Sequence, residues 1–276
     1  MNFFDKIKRE WDRIRDHVQD IIDKIREQDD EPGGEFADPT QPFTGYGVTD
    51  NWKNQATETY LRMIAKYGVD CVAYEFFRYD QLHDIDSRIE KFKKHIELAD
   101  KHKLLLYVQL WNCNTDSARH QTVIYKAARF LRDEIINNKR ENIFITPCGE
   151  GGNGNNSLDR KLQEWFKSRV PKKYLVNNWP SKPGSSKDGM GYVCNHPSST
   201  SAALKLPSWI MSDHSSFMRE LNAGPREGSP KYSRVLNSAK KILGSGRTFI
   251  VYHGWWEPPS EEACRALRDA KEAVRV

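Results

Sequence analysis

Residues 104–111 have the sequence LLLYVQLW, a run of apolar and β-favouring residues that contains no charge. A short continuous run of this kind is typical of a strand buried on both faces, as in a parallel sheet. Seven further β-rich segments occur along the chain. We predict eight strands in all, at Gly45–Thr49, Cys71–Phe76, Leu104–Trp111, Asn142–Pro147, Tyr174–Asn178, Gly191–Asn195, Trp209–Ser212 and Thr248–His253.

Helical patterns separate most of these strands. They lie at Asn54–Tyr67, Asp86–Lys103, Ser117–Asn138, Ser157–Val170, Tyr232–Leu243 and Glu261–Val274. Strand and helix alternation indicates an α/β fold with a parallel sheet, and eight units favour closure into a (β/α)₈ TIM barrel. The helices after strands 5 and 6 should be reduced, because residues 179–190 and 196–208 are rich in Ser, Pro, Gly and Lys. An open doubly wound sheet is the alternative, but its Gly-rich phosphate turn after the first strand is missing.

Composition excludes several classes of protein. The 276 residues are 38% hydrophobic and 29% charged, which is compatible with a globular core and incompatible with wholesale disorder. The formal net charge of +5 comes from scattered basic residues, so we predict no nucleic-acid partner. No apolar run approaches the ~18 to 20 residues of a membrane span. The five cysteines lie far apart and form no C-x-x-C pair, so we predict neither a disulfide framework nor a metal or cofactor site.

The N-terminal segment differs from the rest of the chain. Spacings of three and four residues connect the apolar residues Phe4, Ile7, Trp11, Ile14, Val18, Ile21 and Ile25. This a/d pattern predicts an amphipathic helix over residues 1–31 that could form a coiled coil, and residues 4–25 could then join copies of the chain into a homo-oligomer. Alternatively, the stripe packs on its own domain. A Pro/Gly/acidic linker at 32–42 precedes the barrel at 43–276. No secretory signal is recognisable, so we expect a cytoplasmic protein or one carried on a particle or surface assembly.

Side chains just beyond the strands should form the functional site, because the C-terminal ends of all strands in a parallel barrel open on one face. Aromatic, amide and imidazole groups are concentrated there, and such groups suit a polyhydroxylated sugar ring. We therefore predict a carbohydrate substrate. Its predicted binding residues are Trp111, Asn112, Asn178, Trp179, His196, His214, His253, Trp255 and Trp256.

Two carboxylates at strand ends could cleave a glycosidic bond. That reaction needs a carboxylic acid to protonate the leaving oxygen and a carboxylate to attack or to activate water. We predict Glu150, after the fourth strand, as general acid/base and Asp213, after the seventh, as nucleophile or base. Glu257 and Glu75 are reserve candidates for these catalytic roles.

The segments 67–72, 92–99, 104–108 and 142–150 together resemble the barrel of clan-A-type retaining glycoside hydrolases, which include cellulases and β-mannanases. In that group a Glu after strand 4, usually preceded by Asn, is the acid/base, and a Glu after strand 7 is the nucleophile. The resemblance implies these roles for Glu150 and Asp213, and a retaining outcome. This sequence has Gly149 in place of the Asn and Asp213 in place of the second Glu.

Two other functions are compatible with the sequence. The barrel could bind glycans without cleaving them, or serve as a structural or attachment module displayed by the helical stalk. A metal-dependent hydrolase could use His196, His214 and His253, since imidazole is a common zinc ligand. No H-x-H or H-E-x-x-H pair supports the metal-dependent reading.

Overall fold

A computed structural model of the chain describes residues 35–49, 57–76, 84–110, 121–147, 157–179, 189–195, 197, 199–206, 210–213, 231–252 and 259–274. The strands are β1 (Thr44–Thr49), β2 (Cys71–Glu75), β3 (Leu105–Gln109), β4 (Ile143–Thr146), β5 (Val176–Trp179), β6 (Tyr192–Asn195), β7 (Ile210–Asp213) and β8 (Phe249–Tyr252). The helices are α1 (Glu58–Lys66), α2 (Ile85–Lys101), α3 (Gln121–Ile136), α4 (Ser157–Lys167), α5 (Thr200–Ala203), α6 (Tyr232–Gly244) and α7 (Glu261–Val274). A short 3₁₀ turn, Lys172–Tyr174, precedes β5.

Each of the eight predicted strands forms and overlaps the segment that the sequence indicated. The six predicted helices also form. The described part of the connection between β6 and β7 contains only the four-residue helix α5, in agreement with the expected reduction there. Residues 180–188, which follow β5, lie outside the described part of the chain, as does the predicted helix at 1–31.

The strands form one parallel sheet in the order β4-β3-β2-β1-β8-β7-β6-β5. Every pairing between neighbouring strands is parallel. A parallel bridge between Ile145 of β4 and Leu175, the residue before β5, lies between the two strands at the ends of this order. The Thr146 hydroxyl also donates a hydrogen bond to the carbonyl of Val176, over 2.8 Å, across the same junction.

Side chains alternate between the two faces of the sheet, as the period of a strand requires. One face packs against the helices in a large cluster, in which Val72 and Leu106 of the strands meet Phe92 and Ile96 of α2. The opposite face holds a separate cluster from six of the eight strands: Cys71, Ala73, Leu105, Tyr107, Phe144, Val176, Cys194 and Ile250, together with Phe43. We call this second surface the inner face.

The N-terminal end of the sheet is covered by residues 35–43. Ala37 packs against the inner-face cluster, and Pro39 lines a small apolar pocket beneath it. The ring of Phe36 lies under the Lys103 ammonium group, 4.8 Å from the ring centre. The described part of the predicted linker 32–42 therefore contacts the sheet, while the boundary between linker and barrel stays a prediction.

Asp70 connects the last helix to the first two strands through hydrogen bonds and an ion pair. Its carboxylate accepts hydrogen bonds from the Thr44 backbone N–H and hydroxyl, each over 2.9 Å, and forms an ion pair with Lys271 of α7. Lys271 also donates to the Gly68 carbonyl, 3.0 Å away. These contacts join α7 to the starts of β1 and β2. Within the described residues, no helix is both long and apolar enough to cross a membrane.

Candidate functional site

All eight strands end in a polar or an aromatic residue. The terminal residues, in chain order, are Thr49, Glu75, Gln109, Thr146, Trp179, Asn195, Asp213 and Tyr252. The preceding residues of the strands are largely apolar, so the change in polarity falls at one end of the sheet. Because the strands are parallel, these eight residues lie at the same edge, where ligand sites of parallel barrels occur.

Three of the terminal residues form a continuous buried polar layer. The register pairs Glu75 with Gln109 and Gln109 with Thr146, so the three lie side by side across β2, β3 and β4. Their exposed fractions are 2%, 6% and 1%. Buried polar groups of this type require hydrogen-bonding partners, since their transfer from water is otherwise costly. We call Glu75, Gln109 and Thr146 the polar layer.

The layer directly beneath is apolar. There the register aligns Ala73, Tyr107 and Phe144, which all belong to the inner-face cluster. Alternation along each strand places the polar layer on the same inner face, one pleat nearer the C-terminal end. Across β2, β3 and β4, the inner face therefore carries apolar and aromatic groups below and polar groups nearer the C-terminal ends of the strands.

The polar layer supplies varied hydrogen-bonding groups. The Glu75 carboxyl can accept hydrogen bonds at both oxygens, and the Gln109 amide can donate as well as accept. The hydroxyl of Thr146 is committed to the Val176 carbonyl. A carboxylate beside an amide can bind the hydroxyls of a sugar, which both donate and accept hydrogen bonds.

Glu75 is a predicted reserve carboxylate, whereas Gln109 and Thr146 are not among the residues predicted for the site. Their signal is present in the strand pattern. In the sequence 105–109, the inward positions are Leu105, Tyr107 and Gln109, so polarity begins only at the last inward position. The same change occurs between Phe144 and Thr146, and a count of inward positions would have found both residues.

For three of the other predicted site residues, the structure gives the position of the backbone. The rest lie outside the described residues. Asp213 is the last residue of β7, and its register partner is Ile250 of β8. Asn178 and Trp179 end β5 and pair with Cys194 and Asn195. The remaining predicted residues, which fall outside the described part of the chain, are Glu150, Glu257, Trp111, Asn112, His196, His214, His253, Trp255 and Trp256.

A buried tyrosine fixes the start of α7, just after the segment that contains Trp255, Trp256 and Glu257. The Tyr46 hydroxyl oxygen of β1 accepts a hydrogen bond from the backbone N–H of Ser260, over 2.9 Å. Ser260 in turn accepts from the Ala263 N–H, at 3.4 Å, as an N-cap of the helix. Burial raises the pKa of the Tyr46 phenol well above its ordinary value, so the group is neutral at physiological pH.

The described residues contain no group of three or more His, Cys, Asp or Glu side chains that could hold a metal ion. The three histidines of the metal-dependent hypothesis fall among the undescribed residues, so that hypothesis stays open. The described cysteines Cys71, Cys194 and Cys264 are buried, and none of them forms a disulfide in the part of the chain that the structure describes. Burial raises the pKa of the Cys71 and Cys264 thiols, which keeps both protonated and unreactive.

The chain is similar to known proteins in its structure and not in its sequence. No family model and no curated protein matches the sequence. A solved structure described as a glycoside hydrolase is 8% identical to this chain, with a TM-score of 0.55, over 88% of this chain and 74% of that chain. The catalytic domain of Thermobifida fusca endoglucanase Cel5A (E5) is 9% identical, with a TM-score of 0.54, over 86% of this chain and 92% of that domain. At these identities the similarity shows that the chain shares the fold of solved glycoside hydrolases.

Proposed function

We propose that this chain is a glycoside hydrolase that cleaves O-glycosidic bonds in a polysaccharide or oligosaccharide. The observation that carries the proposal is the buried polar layer of Glu75, Gln109 and Thr146 at the C-terminal edge of a parallel sheet. Its position above an apolar inner face gives a polar floor for a ligand. The fold shared with solved glycoside hydrolases supports the same class of activity.

The proposal includes a closed (β/α)₈ barrel. Two contacts between β4 and β5 support closure: the parallel bridge of Ile145 with Leu175 and the hydrogen bond from Thr146 to Val176. The inner-face cluster, which joins residues of β2, β3 and β4 to residues of β5, β6 and β8, also supports a sheet that curves around its own interior. In such a barrel the residues after β4 and after β7 face each other across one mouth.

Glu150 and Asp213 are the proposed catalytic pair. Glu150 follows the end of β4 by four residues, and Asp213 is the last residue of β7. Glu150 would protonate the leaving glycosidic oxygen, and the Asp213 carboxylate would attack the anomeric carbon or activate water. Glu75 and Glu257 are the reserve carboxylates. We place Glu75 in the role of a substrate-binding group, since it belongs to the polar layer.

Sugar binding is assigned to the aromatic and polar residues at the strand ends. Aromatic rings stack on the C–H face of a sugar, while amide and imidazole groups bond its hydroxyls. The proposed set is Trp111, Asn112, Asn178, Trp179, His196, His214, His253, Trp255 and Trp256. The hydrogen bond from Ser260 to Tyr46 fixes the far end of the segment that contains the last two tryptophans.

A polysaccharide screen tests the activity and its stereochemistry together. Purified protein is incubated with soluble glucans, mannans and xylans, and the anomeric form of the first product is followed by proton NMR. A retained anomer is expected, because a nucleophilic Asp213 gives two successive inversions. An inverted anomer would assign Asp213 the role of base. Absence of hydrolysis on every substrate, with glycan binding preserved, would favour the non-catalytic glycan-binding barrel.

We further propose that residues 4–25 join copies of the chain through the a/d stripe of their predicted helix. Deletion of residues 1–31 tests this by light scattering of the full-length and shortened proteins. The proposal expects an oligomer for the first and a monomer for the second. An equal oligomeric state for both proteins would refute it.

A further inference from the structure

A groove of about 450 Å³ lies on the outer surface of the helical layer, between α3 and α4. Its aromatic walls are Tyr125 and Trp165, whose rings meet edge to face with centres 6.0 Å apart. Its charged groups are Arg160, Lys161, Arg169 and Glu164. The groove belongs to no part of the proposed sugar site.

The groove carries an excess of positive charge. Arg160, Lys161 and Arg169 are exposed, and none of them forms an ion pair with any residue that the structure describes. The single acidic residue, Glu164, is bound by Lys167 at 3.0 Å. Three cations are therefore available on one surface, and a partner with several carboxylates would complement them.

One of these cations is held in position. The Arg169 guanidinium donates hydrogen bonds to the Trp165 carbonyl, at 3.2 Å, and to the Ser168 hydroxyl, at 2.6 Å. It also stacks on the Trp165 ring, 5.0 Å from the ring centre. A guanidinium fixed in this way loses little further entropy on binding, and its planar fork suits a carboxylate.

The chain itself contains a segment of opposite charge. Residues 27–35 include five acidic residues, Glu27, Asp29, Asp30, Glu31 and Glu35, and no lysine or arginine. The segment is therefore complementary to the groove in sign and in density of charge. Since it is part of the same molecule, its effective concentration near the groove is high, of the order of millimolar for a short tether.

The described chain begins at residue 35, and this position is compatible with a contact between the acidic segment and the groove. Phe36 lies under Lys103, just beyond the end of α2. An ion pair between Asp100 and Arg140 joins the end of α2 to the turn after α3, and Arg169 follows the end of α4. All these points lie at the N-terminal end of the sheet. Residues 32–36, between the predicted N-terminal helix and the sheet, span at most roughly 16 to 18 Å when extended.

We propose that residues 27–31 of this chain dock in the groove between α3 and α4, with their carboxylates bound to Arg160, Lys161 and Arg169. The contact fixes the direction in which residues 4–25 leave the barrel and leaves their apolar stripe available. It is independent of the proposed hydrolase activity, because no residue of the groove belongs to the sugar site.

Zero-length cross-linking tests the contact directly. A carbodiimide joins a lysine amine to a carboxylate with loss of water and adds no spacer, so only groups in contact react. We expect full-length protein to give a cross-link between Lys161 and residues 27–31 of the same chain. A mixture of isotopically light and heavy chains distinguishes this product from a link between two chains. Lys94 is the internal control, since it lines a groove of similar size, about 480 Å³, that also contains Glu58 and Glu90.

A charge-reversed variant provides a second test of the proposed contact. Arg160→Glu with Arg169→Glu retains Lys161 and should lower the yield of the cross-link about fivefold or more, as should about 0.5 M salt in the wild type. The matched control, Lys91→Glu with Lys94→Glu, should leave the yield unchanged. The proposal is overturned if Lys161 links only to residues outside 27–31, links only between chains, or links with equal yield in the charge-reversed variant.

Discussion

Glu75 and Gln109 are register partners at the last position of β2 and β3, where both side chains are almost fully buried on the inner face of the sheet. A carboxyl group and an amide thus occupy neighbouring positions directly above the apolar layer of Ala73, Tyr107 and Phe144. This pair is the centre of the proposed sugar site.

Glu75→Gln is expected to lower kcat/KM for glycan hydrolysis by about 10-fold to 100-fold, the equivalent of one lost charged hydrogen bond. The substitution keeps the volume of the side chain, so the free energy of unfolding should change by about 1 kcal/mol or less. Steady-state kinetics and urea unfolding provide the two measurements.

Glu134→Gln is the matched control for that variant. Glu134 is also a buried carboxylate, but it lies at the end of α3, where it accepts hydrogen bonds from Asn138 and Arg140. Its substitution should cost about 1 to 2 kcal/mol of stability and leave kcat/KM unchanged. Full activity in Glu75→Gln, or equal loss of activity in both variants, would remove Glu75 from the site.

Gly191 allows β6 to pass close to the 3₁₀ turn before β5. A Cβ atom at this position would lie 2.4 Å from the Lys172 carbonyl oxygen and 3.0 Å from the Lys173 Cα. Gly191→Ala must therefore displace backbone, and we expect a loss of about 2 to 3 kcal/mol in the free energy of unfolding.

Gly244→Ala is the corresponding control, because its new Cβ would meet only Val274 Cγ1 at an ordinary 3.6 Å at the end of α6. Alanine is the better helix former, so this variant should equal or exceed the wild type by about 0.5 kcal/mol. Equal stability of the two variants in urea would show that the strand and the turn separate without cost.

The buried phenol of Tyr46 should make the free energy of unfolding fall at alkaline pH. Its pKa is raised in the folded state by burial, so above about pH 10 the unfolded chain loses the phenolic proton while the folded chain retains it. The stabilisation is complete below the unfolded pKa and is lost as pH rises towards the folded pKa. The expected contribution to the slope is about 1.4 kcal/mol per pH unit.

Tyr46→Phe removes that contribution and also the acceptor of the Ser260 N–H. Unfolding measured between pH 9 and 11 should therefore show a variant that is less stable at neutral pH and falls less steeply with rising pH. Parallel pH dependences for the two proteins would contradict the assignment.

Most of the strands could be predicted from sequence because they are short runs of apolar and β-favouring residues between polar segments, as in residues 104–111, and their length favours a strand over a buried helix. The buried polar layer could be predicted in part. Glu75 is a charged residue within an apolar strand, whereas Gln109 and Thr146 are marked in the sequence only by the change of polarity at the last inward position, and the register aligns them with Glu75. The groove between α3 and α4 could not be predicted, since residues 125 and 165 come together only through helix packing.

The most direct test of the proposed function compares wild type with Glu150→Gln in hydrolysis and in glycan binding on the same polysaccharide. We expect hydrolysis to fall by about 10²-fold to 10⁴-fold, because the amide cannot protonate the leaving oxygen, and the dissociation constant to change little. Unchanged hydrolysis in Glu150→Gln would contradict the two-carboxylate mechanism proposed for this barrel.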